Sequence, residues 1–544
     1  MNSVWLVIIG AILFLTAYTL YGGYLARQWG IDSKRLTPSH TKYDGVDYVP
    51  ANSKVLLGHH FASIAGAGPI AGPIQAAIFG WIPVYLWIVI GSIFVGGVHD
   101  FGSLVASIRH DGKSIGEIIE VNVGKKGKIL FNLFAWLTLV LIVAAFTDIV
   151  ASSFAYNPEV QGFQAGPAAA TSSMLFMVLA VLFGFMVYRK GYGVAVSTVV
   201  GVILLFLAIW LGYKFPVLAF SKFTWYVILL IYIFLASVLP VWLLLQPRDY
   251  LNSFMLYAML LGGLIGIFVL HPNIELSAFT GFTVTTKAGA QYLFPILFVT
   301  VACGAISGFH SLVSSGTSSK QIDKEEDAKL VGYGAMLIEG MLAIVALISI
   351  AYVSKAEGTP ALIFANGVAT FMNSFGIPLE FGKVFVILAF TAFALTSLDT
   401  ATRLGRYIFQ EFFETVVGKD SVLTNKYVAT LITIVCSSLI LVYGYQKIWP
   451  IFGSANQLLA ALALLAVTAW LTRIGKNRIV TLIPMIFMFC VTLSALVILM
   501  KNYFIAKNYI LVVIAVVLFV LAIVLLLEAV NVIKSKKTTQ DIKA

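Results

Sequence analysis

Imidazoles and carboxylates recur inside stretches of this chain that are otherwise aliphatic. His310 lies in CGAISGFHSLVSSG (303–316), with Ser307, Ser311, Ser314 and Ser315 around it. His59 and His60 open one apolar run, His99 and Asp100 stand side by side in the next, and Glu339 and Asp399 lie in later ones. Intramembrane ionisable groups are functional candidates because isolated burial is so unfavourable. An imidazole beside a carboxylate can carry a proton. Hydroxyls together with freed backbone carbonyls can coordinate Na⁺. Histidines with an acid can hold a transition metal, which makes His59, His60, His99 and Asp100 metal candidates, although no HExxH-type spacing is present. Plainer readings stand beside each: hydroxyls bonding their own helix backbone, and interfacial histidines making ordinary hydrogen bonds. Asp399 has Arg403 four residues on, on the same helix face, so it is either a coupling residue or half of an ion pair.

The elements that position these groups must be membrane helices. Of 544 residues, 60% are hydrophobic and only 11% are charged, which predicts an all-α polytopic membrane protein. Fifteen apolar runs are long enough to cross ~30 Å of hydrocarbon at ~1.5 Å per residue. The first, near Val4 to Leu25, has no basic residue before it and reads as a retained span. With the N-terminus outside, 27 of the 35 lysines and arginines fall in inner loops and the C-terminal tail. That asymmetry predicts N-out, C-in, and explains the net charge of +11 without nucleic acid. Cys303, Cys436 and Cys490 all lie in apolar runs, so neither a disulfide framework nor a cysteine metal motif is expected.

One run looks built to break. GHHFASIAGAGPIAGP (58–73) packs glycines and prolines, poor helix formers, into the middle of the second span. Irregular backbone at that depth survives only where protein or a watery cavity satisfies it. Residues 65–73 are therefore expected to line a cavity, with a new half-helix starting near Ile70 whose amide end favours a carboxylate. Close helix packing through small residues is the alternative. Five spans on, LASVLPVWLLLQPRD (235–249) carries Pro240 inside the seventh span, which runs the opposite way; a simple kink is the alternative there. Paired breaks of opposite direction predict two inverted halves, 52–213 and 224–410. The helix within 1–30 and those within 424–533 are then peripheral, and 534–544 is a cytoplasmic tail.

Several stretches together resemble the carbon starvation protein A family of bacterial inner-membrane transporters. They are GHHFASIAGAGPIAGP at 58–73, HDFGSLVASIRHDGKSIGE at 99–117, CGAISGFHSLVSSGTSSKQ at 303–321, TSLDTATRLGRY at 396–407 and WPIFGSANQLLA at 449–460. The resemblance implies uptake of peptides or small carboxylates such as pyruvate when carbon is scarce. It also implies an architecture similar to the amino acid–polyamine–organocation, LeuT-like, transporter fold.

The expectation is a secondary active transporter in the bacterial inner membrane, working by alternating access. Its substrate carboxylate would sit at Gly66, Gly68, Pro69, Gly72 and Pro73, with Gln75, Pro240, Trp242 and Gln246 as further contacts. A proton or Na⁺ would couple through Ser307, His310, Ser311, Ser314, Ser315 and Asp399, with no other cofactor. A channel, a membrane enzyme or a sensor are the rivals; no nucleophile–base pair or phosphate loop supports an enzyme. The assembly state is not written in the sequence.

Overall fold

The computed structural model describes residues 1–45, 47–159, 162–186, 194–239, 245–286, 289–353 and 358–534. Among them, twelve helices are long and apolar enough to cross a membrane, and a bent helix pair makes a thirteenth. The expected seventh and twelfth spans correspond to shorter apolar helices, Lys222–Val238 and Lys426–Leu441. The chain is not wholly helical. Thr283–Thr286 and Gly289–Tyr292 pair as an antiparallel hairpin ahead of the ninth span, where a run of β-branched residues favours extended backbone.

The bent pair is the second span. Its first half, Ser53–Ile64, is capped by the Asn52 side chain, and Gly68–Ala76 continues it at an angle of 47° after a break at 65–67. The new helix begins at Gly68, two residues earlier than expected. Pro69 falls in its first turn, where a missing N–H costs nothing.

The ninth span departs from its expectation. It is not one hydroxyl-bearing helix: Leu293–Val301 gives way to a short 3₁₀ turn, and α-helix resumes only at Gly308–Gly316. Ser307 therefore caps a half-helix rather than lying inside one. The two broken spans meet at their interruptions. A methyl group on Gly68 would run into the Cys303 side chain; one on Gly72 would lie 2.5 Å from the Val301 carbonyl oxygen and 2.7 Å from that of Thr300. Residue numbers rise along one partner as they fall along the other, so the two cross antiparallel.

The seventh span's helix stops at Val238, and Leu239 is extended (φ −74°, ψ 154°), as befits a residue before proline. Pro240 and Trp242 lie outside the described residues. Gln246 falls in the first turn of Leu245–Leu270, and its side chain is likewise outside the description. The last carbonyls of Lys222–Val238 are capped from the eleventh span (Leu379–Val416). Arg403 Nη2 donates to Ala236 and Leu239 oxygens at 2.7 and 2.8 Å, and Arg406 Nη1 to Ser237 at 2.8 Å.

The thirteenth span, expected at the periphery, is central: the most apolar stretch of Gln446–Arg473 is wholly buried. Small residues allow this approach. A methyl on Gly308 would meet its backbone at Asn456 and Ala460. Of the fifteenth span, Tyr509–Asn531, only 28% of the apolar stretch is buried.

The link between the first and second spans folds back on the loop after the ninth. Thr37 and Ser39 hydroxyls donate to the Ile322 carbonyl at 2.6 and 2.7 Å, and the Ala51 amide to Gln321 at 2.9 Å. The Glu325 carboxylate, fully buried, accepts from Arg109 Nε at 2.5 Å, the Asp32 amide at 2.8 Å and Arg35 Nη1 at 3.3 Å. At the other end of the first span, the Ser3 amide donates to Pro272 at 3.0 Å.

Candidate functional site

The break in the ninth span delivers His310 to a dry meeting point of three spans. Ser92 of the third span (Trp81–Arg109) donates to the Gly304 carbonyl at 3.1 Å, and Gly96, lacking a side chain, lets that span press against the Ala305 carbonyl. One turn further on, Asp100 accepts from both sides. His99 Nδ1 is 2.6 Å from Oδ1, and His310 Nδ1 is 2.8 Å from Oδ2. The other ring nitrogen of His310, Nε2, lies 3.4 Å from Glu339 Oε2 in the tenth span (Ala335–Ala351). None of these four side chains has any solvent exposure.

An imidazole thus stands between two carboxylates in a fully buried setting. Protonated, it carries a donor on each face and offsets one charge of the pair. Deprotonated, it leaves a carboxylate opposed to a lone pair. The cluster gains or loses stability with a single proton, which is the property a coupling site needs. Both Glu339 oxygens lack a hydrogen bond among the described residues, so this carboxyl is the open end of the chain of contacts.

The serines around His310 are less available. Ser311 donates to the Gly308 carbonyl and Ser315 to that of Ser311, each at 2.7 Å, so both bond their own helix. Ser307 is paired with Asn456, while Ser314 lies buried without a hydrogen bond among the described residues. The metal candidates scatter. His60 Nδ1 lies 2.7 Å from the Ser318 hydroxyl, and neither His59 nor His60 has a hydrogen bond to Asp100 among the described residues. Among the described residues no three His, Cys, Asp or Glu side chains converge to hold a metal ion.

Residues that sequence reasoning passed over hold the ninth span's break open. Asn456 Oδ1 accepts from the Phe309 amide at 2.9 Å, and Gln457 Nε2 donates to the Phe298 carbonyl at 2.6 Å. Both had a signal: two adjacent amides in the middle of an apolar span need polar partners at that depth.

Asp399 does not pair with Arg403, whose guanidinium caps the helix end described above. Arg248 Nη1 bonds Asp399 and the Tyr232 hydroxyl, and Tyr232 in turn donates to Asp399 at 2.7 Å. Arg248 Nη2 also bonds Asp249 at 2.9 Å and Thr396 at 3.3 Å. The local i+4 partner lost to a tertiary one because the helix carbonyls claimed Arg403 first.

At the second span's break, Gly66, Gly68, Pro69, Gly72 and Pro73 are all buried, and Gln75 is partly buried. The side faces of Gly66, Gly68 and Gly72 are filled by Ser397, Cys303 and backbone carbonyls. The amides of Ala67 and Gly68 find no acceptor among the described residues. Beyond them, Ala71 lines a cavity of about 300 Å³ that is also lined by Asp148, Lys222 and Lys447.

The chain matches the family model described as carbon starvation protein CstA over residues 2–357 and 351–495, and it belongs to that family. It is 33% identical to the peptide transporter CstA of Helicobacter pylori (strain J99), covering 90% of this chain and 81% of the relative. The peptide transporter CstA of Bacillus subtilis is 32% identical, with 90% and 89% covered. The pyruvate/proton symporter BtsT of Escherichia coli (strain K12) is 32% identical, with 91% and 81% covered. These relatives are transporters, not enzymes. Among solved structures, a manganese transporter of Eremococcus coleocola is similar at 15% identity, covering 91% of this chain and 99% of that one, with a TM-score of 0.48. MhsT in complex with L-phenylalanine is similar at 14% identity, with 87% and 99% covered and a TM-score of 0.48.

Proposed function

We propose that this member of the carbon starvation protein family is a secondary active transporter driven by protons. It imports a small carboxylate or peptide across the bacterial inner membrane when carbon is scarce, by alternating access. One observation carries the choice of proton: His310 is buried between Asp100 and Glu339. The relative named a pyruvate/proton symporter supports the same ion. Na⁺ is the weaker choice, since Ser311 and Ser315 already bond their own helix.

The reading includes the topology and architecture expected from the sequence: N-terminus outside, C-terminus inside, and two inverted halves at 52–213 and 224–410 in a LeuT-like plan. The contact between the two discontinuous spans joins the second to the ninth, so the halves rest on the paired sequence breaks at 58–73 and 235–249. The substrate carboxylate is read against the amides that start Gly68–Ala76, beside Gly66, Gly68, Pro69, Gly72, Pro73 and Gln75. Pro240, Trp242 and Gln246 remain candidates for the same contact. Asp399, held by Arg248, is assigned to structure rather than coupling.

Reconstituted into liposomes, the protein is expected to accumulate pyruvate or a dipeptide under an acid-outside gradient and not under a Na⁺ gradient alone. His310→Gln is expected to lose that accumulation while retaining exchange of labelled for unlabelled substrate. Accumulation driven by Na⁺, or unchanged by His310→Gln, would overturn the assignment.

A further inference from the structure

The cavity that reaches Ala71 has an uneven charge. Its floor is apolar, made by Ala71, Ile149 and Phe390. Beside them the Asp148 carboxylate, itself buried, is already satisfied: Lys222 Nζ lies 2.6 Å from its Oδ1, and the Tyr226 hydroxyl donates to the same oxygen. Lys447 is different. Its carbonyl is anchored by the Tyr503 hydroxyl at 2.7 Å, yet its exposed ammonium has no carboxylate partner among the described residues. Among the described lining residues, two lysines and one aspartate leave one positive charge in excess. At about 300 Å³ the cavity is at the small end of ligand-binding pockets.

We infer that this cavity is a binding site for a small monocarboxylate, with Lys447 holding the carboxylate and the Ala71–Ile149–Phe390 floor taking a short apolar tail. The site deepens the transport reading, and rests on it for the direction of entry: it is a first stop one turn beyond the amides that begin Gly68–Ala76. Lys222 is a positioning residue, since its charge is spent on Asp148. A zwitterionic peptide gains less here, because its ammonium faces the same lysine.

Two measurements test this, one of them independent of transport. In proteoliposomes, Lys447→Gln is expected to raise the KM for pyruvate about five-fold, and Lys447→Arg to keep it near wild type. The wild-type KM should rise with ionic strength and that of Lys447→Gln should not. In a Cys436→Ser, Cys490→Ser background, Ser152→Cys places a thiol on the cavity wall for a membrane-impermeant maleimide. Pyruvate is expected to slow its labelling, and Lys447→Gln to remove the protection. Uptake with no protection and an unchanged KM overturns the site and leaves the transporter reading intact. Protection without uptake upholds the site and overturns the transporter. Neither uptake nor protection removes both.

Discussion

Two groups of charges lie buried in this bundle, and they are neutralised in opposite ways. Around Arg248, two carboxylates and a phenol surround a guanidinium that never gives up its proton. Around His310, two carboxylates flank an imidazole that can. Both groups are buried, so burial alone does not distinguish a lock from a switch. The identity of the cation does. Tyr232, Thr396 and Asp249 add fixed hydrogen bonds to the Arg248 set, whereas among the described residues Glu339 has none in the His310 set.

Removing the guanidinium should break this comparison most violently. Arg248→Gln strands Asp399 and Asp249 without a counter-charge, and is expected to destabilise the fold by about 3–5 kcal/mol. Thermal unfolding in detergent should show it, and Asp399→Asn in the same chain should recover part of the loss. The matching change at the switch acts differently. Glu339→Gln is isosteric, and is expected to leave the unfolding midpoint within a few degrees while removing the pH dependence of uptake. A midpoint shift as large as that of Arg248→Gln would make both clusters structural.

The glycine crossing yields a smaller and sharper pair. Gly68→Ala meets a side chain, so Cys303→Gly should relieve much of its cost. Gly72→Ala meets backbone carbonyls and has no such remedy. Each overpacking change is expected to cost about 1–3 kcal/mol alone. Rescue of both by Cys303→Gly would contradict the crossing. Smallest of all, Arg403→Met should cost about 1–2 kcal/mol by leaving the Ala236 and Leu239 carbonyls unpaired, with uptake still proton-driven.

What could be read in advance follows how local the cause was. The second span's interruption was legible because Gly66, Gly68 and Pro69 weaken a helix from within. The ninth span's was not. CGAIS contains no proline, and its break is sustained by Asn456 and Gln457 from a helix some 150 positions along the chain. His310 was legible as a proton carrier by its type alone. Its partners were not, since Asp100 is 210 residues away. The Asp399–Arg403 spacing misled for the converse reason: a local geometry was available, but the carbonyls of Lys222–Val238 had a stronger claim on the arginine. The thirteenth span's central place could have been suspected from GSANQ, where small residues and amides interrupt an apolar run.

The first span is fastened at both ends, to Pro272 by Ser3 and to Glu325 through Asp32 and Arg35, with Arg109 of the third span bridging Glu325 and the Gly30 carbonyl. It therefore behaves as a strap buckled across the bundle. Any rearrangement that swings the Glu325 loop must either unbuckle it or drag the strap along. A protease site inserted after Gly30 would cut it cleanly, and the cut protein would cycle faster if the strap is a brake and slower if it is a tow-rope.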